Sequence, residues 1–151
     1  IGHFREWDEK REQDWNLLDY PAHQSFHQFI MDLNCLYLEH PALYEMDYET
    51  EGLEWLDCHA ETDCTYALER RSKKERIVAV FHFSATAQEA YKLTVPGAQK
   101  LELLLSSEAA CYGGTLEHPQ TVLALKDGTC SLSFKPFSAA YYKVVPEKTT
   151  R

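Results

Sequence analysis

The apolar residues change their period near Leu53, and this change limits the fold more than any other feature of the chain. Before it, Phe26, Phe29, Ile30, Leu33, Leu36 and Tyr37 recur at the three-and-four spacing that lines one side of an α-helix. Pro21 suits the first turn of such a helix, and Pro41 ends the run after His40. The pattern predicts one amphipathic helix over 21–40, about five turns long at 3.6 residues per turn. Its apolar face must be buried, and the residues that follow offer no evident surface for it.

After Leu53 the period falls to two, in short runs parted by turn residues, which is the signature of half-buried antiparallel strands. Strands are predicted over 53–58, 64–71, 76–83, 91–95, 99–105, 121–125, 130–134 and 138–145. Leu101, Leu103 and Leu105 alternate with Lys100 and Glu102, and Cys130, Leu132 and Phe134 with Ser131 and Ser133, so each strand has one wet face. Ile77-Val78-Ala79-Val80-Phe81 is apolar on both faces and belongs at the centre of a sheet. Residues 72–75 and 126–128 supply hairpin turns. About eight strands at this spacing imply a mainly β fold, an antiparallel beta sandwich preceded by a loop and one helix.

A length of 151 residues suits one domain, or one domain with an appendage. Acid is concentrated at the front: residues 1–60 carry a net charge of −11 and residues 61–151 of +2. Such a surface repels phosphate, which argues against nucleic acid and anionic membranes as partners and leaves a neutral ligand such as a glucan. The five cysteines form no CxxC pair and are odd in number, which reads as reduced thiols in a cytoplasm. No run approaches the roughly 20 apolar residues needed to cross a bilayer. A start without methionine, inside a charged aromatic segment, reads as a fragment of a longer protein.

Chemistry is sparse. Glu6, Asp8, Glu9, Glu12 and Asp14 crowd the first loop, but glycosidic chemistry needs two carboxylates at a set separation, and a solvated acidic loop pairing with Arg5, Lys10 and Arg11 accounts for them. His23 and His27 stand four apart on the helix without a third ligand, and His59 lies between Cys58 and Cys64 at a spacing unlike zinc sites. Neither predicts a metal, and no cofactor is expected. Gly113-Gly114 lacks the lysine and helix start of a phosphate cradle and reads as a turn. The aromatics are more informative, because sugar C–H faces stack on Trp and Tyr rings. Trp7 and Trp55 are candidates for such contact, and Trp15 for a structural role. Trp55 and Leu56 point to opposite faces of one strand, so only one of them enters the core, and the sequence leaves open which.

Four segments carry a resemblance. REWDEKREQDWNLLDYP (5–21), DLNCLYLEHPALYEMDY (32–48), GLEWLDCH (52–59) and CYGGT (111–115) resemble, in order, stretches of bacterial glycogen branching enzymes, members of the alpha-amylase superfamily. The resemblance implies that residues 1–48 are the end of a catalytic (β/α)8 barrel, as loop and last helix, and that residues 49–151 are a carboxy-terminal sandwich. The family moves an α-1,4-glucan segment to a 6-hydroxyl with retention through a covalent glycosyl-enzyme. Its catalytic carboxylates belong to earlier barrel strands and match no acid here, so no catalytic residue is expected and the chain alone should be inactive.

Arg5, Glu6 and Trp7 would lie at the catalytic rim of the barrel, and Trp55, where it does not enter the core, or neighbouring tyrosines would hold long glucan chains. The implied partners are glycogen, amylose or maltooligosaccharides, and the parent's barrel. His3-Phe4 and Glu108-Ala109-Ala110-Cys111 depart from the family pattern, which weakens substrate roles beside them. Two rival readings are an independent carbohydrate-binding module and the terminal domain of a hydrolytic amylase relative.

Overall fold

A computed structural model describes residues 1–58 and 62–147; His59 lies outside them. A loop ends in a single 3-10 turn, Trp15–Asp19, and runs into the helix α1 (Pro21–Glu39) with Pro21 in its first turn. Among the described residues eight strands follow: β1 (Leu53–Asp57), β2 (Thr65–Arg71), β3 (Arg76–His82), β4 (Gln88–Thr94), β5 (Ala98–Ser106), β6 (Val122–Ala124), β7 (Thr129–Phe134) and β8 (Ser138–Pro146). They make two antiparallel sheets of very unequal width: six strands in the order β1-β2-β3-β8-β5-β6, and the pair β4-β7. The mainly β sandwich expected from the alternation is therefore present.

Between the sheets lies the main core, with Val78, Val80 and Ala67 from one side of the large sheet meeting Tyr91, Leu93, Leu132 and Phe134 of the small one. β3 holds the central place expected from its two apolar faces, between β2 and β8. Its other face explains the helix. Ile77 of β3 and Leu105 of β5 join Leu36, Ala42 and Leu43 in a second core, with Phe29, Leu33, Leu104 and Tyr141 packed around it. The sandwich thus supplies a partner for the helix that its sequence had not revealed. The cover is one-sided: Phe26 and Tyr37, read as part of the same stripe, stay exposed, as do Met31 and Leu38.

Two sequence readings need correction. Leu105 does not share a face with Leu101: the register of β5 against β8 shifts between Leu103 and Leu105, so Leu101 enters the main core while Leu105 turns to the helix. Residues 126–128 do form a tight turn, closed by mutual backbone hydrogen bonds between Lys126 and Thr129 of 2.9 and 3.0 Å. The strands it joins then separate, β6 pairing with β5 and β7 with β4, so the turn passes the chain from one sheet to the other.

Helix and sandwich are pinned at a further point. At the helix end, His40 Nδ1 lies 2.9 Å from Glu75 Oε1 on the β2–β3 turn, with Lys143 Nζ of β8 at 3.3 Å from the same oxygen. Burial pushes the Glu75 carboxyl up, but the hydrogen bond and charge of His40 and Lys143 outweigh it and hold it below the ordinary glutamate value. A folded-state value below the unfolded one gives stability that is present above the unfolded value and lost as pH falls through the folded one. The stability advantage of the native chain over Glu75→Gln should therefore shrink on acidification below about pH 4.5, as read from urea midpoints across the acid range. An advantage that grows with acid would contradict this.

Candidate functional site

The first loop folds around Arg5. Its Nε and Nη2 donate to the two carboxylate oxygens of Asp14 at 3.0 and 2.9 Å, and Nη2 also donates to the Glu12 carbonyl at 2.6 Å. His3 Nε2 approaches Asp14 Oδ2 to 2.9 Å. The hydrogen bond from Arg5 is the main reason the Asp14 carboxyl lies below its usual range. A bidentate guanidinium fixes geometry as well as charge, so these contacts close residues 3–14 into a loop with a shallow hollow of about 180 Å³ lined by Arg5, Glu6, Trp7, Arg11 and Glu12.

Three of the four residues singled out from the sequence therefore share one concavity, but with different freedom. Arg5 is engaged by Asp14 and Glu12 and shapes the loop. Glu6 and Trp7 point outward, and the Trp7 ring is 82% exposed. Trp55 does not line this hollow; it sits on β1, an edge strand of the large sheet. There Leu56 turns in to pack against the main core, and Trp55 is left 52% exposed. This resolves the alternative that the sequence left open. Trp15, expected to be structural, is exposed as well.

Near Trp55 the outer face of the large sheet is aromatic beyond the region that α1 covers. Tyr66 of β2 lies opposite Phe81 of β3, and Phe81 and Phe83 have nearly parallel rings with centroids 6.1 Å apart. Sequence reading missed this row because its residues are spread over two strands and read as ordinary strand formers.

The CYGGT motif acts as a clasp. Tyr112 closes a 3-10 turn, donates its hydroxyl to Asp32 of α1 at 2.7 Å and meets Phe29 edge-on at 5.3 Å. Gly113 follows with φ of +83°, a conformation suited to glycine. Gly114 lies against the backbone of Glu108, where a Cβ would come within 2.2 Å of it. The atypical Glu108-Ala109-Ala110-Cys111 segment is thus one side of a closed loop, held by Leu116 N–H to Glu108 C=O at 2.9 Å and Ala110 N–H to Leu116 C=O at 3.0 Å.

No group of three or more His, Cys, Asp or Glu side chains able to hold a metal occurs among the described residues. His23 turns its Nδ1 to the Ile1 carbonyl at 2.7 Å. Among the described residues no helix is long and apolar enough to cross a membrane.

Comparison with known proteins agrees with this architecture. Residues 55–145 match the family described as alpha amylase, C-terminal all-beta domain. The chain is 38% identical over 116 residues to the 1,4-alpha-glucan branching enzyme GlgB of Pseudomonas putida, covering 76% of this chain and 16% of that protein. It is 35% identical over 143 residues to GlgB 1 of Rhizobium etli, covering 91% and 20%. It therefore spans about a fifth of the length of such relatives. Among solved structures, a mutant of MutB in complex with the substrate sucrose superposes with a TM-score of 0.52 at 25% identity, covering 76% of this chain and 17% of that one. With the sandwich, the docked helix and the family match over the strands in agreement, the chain belongs to the alpha-amylase C-terminal all-beta domain family.

Proposed function

We propose that this chain is the non-catalytic terminal module of a glycogen branching enzyme, in which residues 1–48 complete a catalytic barrel and residues 49–151 form the sandwich that supports it. The observation that carries the reading is the two-sided apolarity of α1. Phe29, Leu33 and Leu36 face the sandwich, while Met31 and Leu38 leave the opposite side at 47% and 71% exposure. A helix apolar on both sides is a helix between two bodies, and the family's barrel is the second. The branching chemistry then belongs to the barrel, and the work takes place in the cytoplasm, in keeping with five cysteines free of disulfides.

The test is to place Met31→Glu and Leu38→Glu in a full-length branching enzyme that contains this chain. Branching activity should fall at least about tenfold, the effect of losing about 1.4 kcal/mol or more at an assembled site, while the same changes in the 151-residue chain leave its own melting temperature unchanged. Full activity in the double variant would overturn the reading. So would new α-1,6 linkages made from amylose by the chain alone.

The exposure of Trp55 favours a second role for the same module, holding glycogen or amylose chains by ring stacking, with Trp7 and Glu6 as contacts at the barrel rim and Arg5 as the residue that positions them. Trp55→Ala should then weaken glycogen binding without lowering stability.

A further inference from the structure

The chain is acidic, with a net charge of −9, yet it carries a hollow lined mainly by cations. β8 runs on to Pro146, but its pairing with β3 goes no further than Lys143 opposite Ile77, so the end of β8 overhangs. Between that overhang and the turn of residues 72–75 lies a hollow of about 440 Å³, within the range of about 300–1,000 Å³ typical of small-molecule sites. Lys73, Lys74, Arg76 and Lys143 line it against a single carboxylate, Glu75, and Val145 and Pro146 add an apolar wall. All of these residues lie after the acidic front of the chain.

The turn that carries two of the lysines is already shaped. Ser72 Oγ accepts the N–H groups of Lys74 and Glu75 at 3.2 and 3.0 Å, Ser72 N–H donates to the Glu75 carbonyl at 2.8 Å, and Lys73 N–H donates to Glu45 Oε2 at 3.2 Å. Its main chain is therefore used up, and binding falls to side chains. The ammonium groups of Lys73 and Lys74 have no carboxylate partner among the described residues, and both side chains are exposed. Arg76 spends Nε and Nη2 on Glu69 and the Pro96 carbonyl, which leaves Nη1 without an acceptor among the described residues. The carboxylates around the hollow are engaged in turn: Glu69 is shared by Arg71 and Arg76, Glu102 is held by Lys100 at 2.7 Å, and Glu75 by His40 and Lys143. The field in the hollow is thus positive.

We infer that this hollow is an anion site that takes a phosphate group, held by Lys73, Lys74 and Lys143 with Arg76 behind them. A carboxylate brings one charge and two oxygens, whereas a phosphate monoester brings about −1.5 to −2 and three acceptor oxygens, enough to meet three ammonium groups at once. Lysines act on phosphate as point charges and need no planar fork, which suits three side chains that converge from a turn and a strand end. The site does not rest on the branching-enzyme reading.

The test is amide chemical-shift mapping on the 151-residue chain at neutral pH and constant ionic strength, titrated with potassium phosphate and, separately, with glycerol 3-phosphate. Both should move the amides of residues 72–76 and 143–145 along saturable curves. Lys73→Ser combined with Lys74→Ser should weaken binding about tenfold or more, the effect of losing two hydrogen bonds to a charged group. Lys92→Ser combined with Lys126→Ser removes the same charge from exposed positions outside the hollow and should leave binding unchanged. Glu75→Gln, which takes the carboxylate out of the lining and releases Lys143, should bind phosphate more tightly, and weaker binding would overturn the proposal. Equal affinity for the two ligands would assign the site to the phosphate group alone, and tighter binding of the ester would extend it to the attached polyol; both results support it. No saturable shift at these residues with either ligand would overturn it. An equal loss in the two lysine pairs, the mark of diffuse charge, would do the same. Shifts that follow protein concentration and not phosphate would overturn it in favour of the acidic front of a second copy.

Discussion

Gly114→Ala should destabilise the chain by about 3 kcal/mol, the upper end of what overpacking costs, or about 6–12 °C in Tm for a domain of this size. The new Cβ would meet the backbone of Glu108 at 2.2 Å, and a backbone cannot rotate away as a flexible side chain can. The loop would have to open, parting Leu116 from Glu108 and pulling Tyr112 from Asp32, so loop and helix would be disturbed together. Its neighbour provides the comparison. A Cβ on Gly113 would have room, nearest Ser25 at 3.8 Å, so Gly113→Ala should cost only the strain of a left-handed residue, about 1 kcal/mol. Urea or thermal unfolding of the two variants decides the matter, and equal losses would show that the close approach at Gly114 is not what the motif protects.

Glu69→Ala should cost about 2–3 kcal/mol, read from the same unfolding curves. Glu69 is fully buried on the inward face of β2 and is held by both Arg71 and Arg76, the latter through two hydrogen bonds of 2.8 and 2.6 Å. Arg76 also donates to the Pro96 carbonyl at 2.9 Å, so the cluster ties the β2–β3 hairpin to the turn between β4 and β5 and closes one end of the core. Removing the carboxylate leaves a polar void and two guanidiniums without their anion. The loss sits below the largest values for broken buried pairs because both arginines reach water at their far ends. Glu69→Leu should cost less than Glu69→Ala, since it refills the space; equal losses would mean that charge pairing, and not volume, dominates there.

The strands were readable because alternation is a local property: Cys130, Leu132 and Phe134 face one way whatever the rest of the chain does. What escaped were features set by neighbours. The bulge between Leu103 and Leu105 turns one leucine to the helix, and a pattern count sees only three leucines two apart. The seat for α1 was written in β3 as apolarity on both faces, which signalled a central strand without saying that a helix of the same chain would cover the second face. Trp55 and Leu56 were equivalent in sequence until β1 became an edge strand with one side over the core.

In the candidate site, Glu6 and Trp7 were legible as an exposed acidic and aromatic pair. Arg5 was read both as a rim contact and as a partner of the acidic loop; its pairing with Asp14 bears out the second, while which of the five acids it would choose has no fixed spacing to show it. The unequal widths of the two sheets were invisible because strand count alone does not say how strands divide between sheets.

The strand order carries one further consequence, for how the molecule is assembled. In the large sheet β1, β2 and β3 form one ladder and β5 and β6 another, and only β8, the last of the eight strands in sequence, joins them. During synthesis, both half-sheets emerge with a raw edge: β3 on one side, β5 on the other. Until β8 slots between them, Val78, Val80 and Leu101 have an incomplete wall, and closure needs contacts between residues far apart in the chain. Folding is thus postponed until nearly all of the sandwich has left the ribosome, and β8 works as a keystone, leaving chains that lack it with two open templates for aggregation.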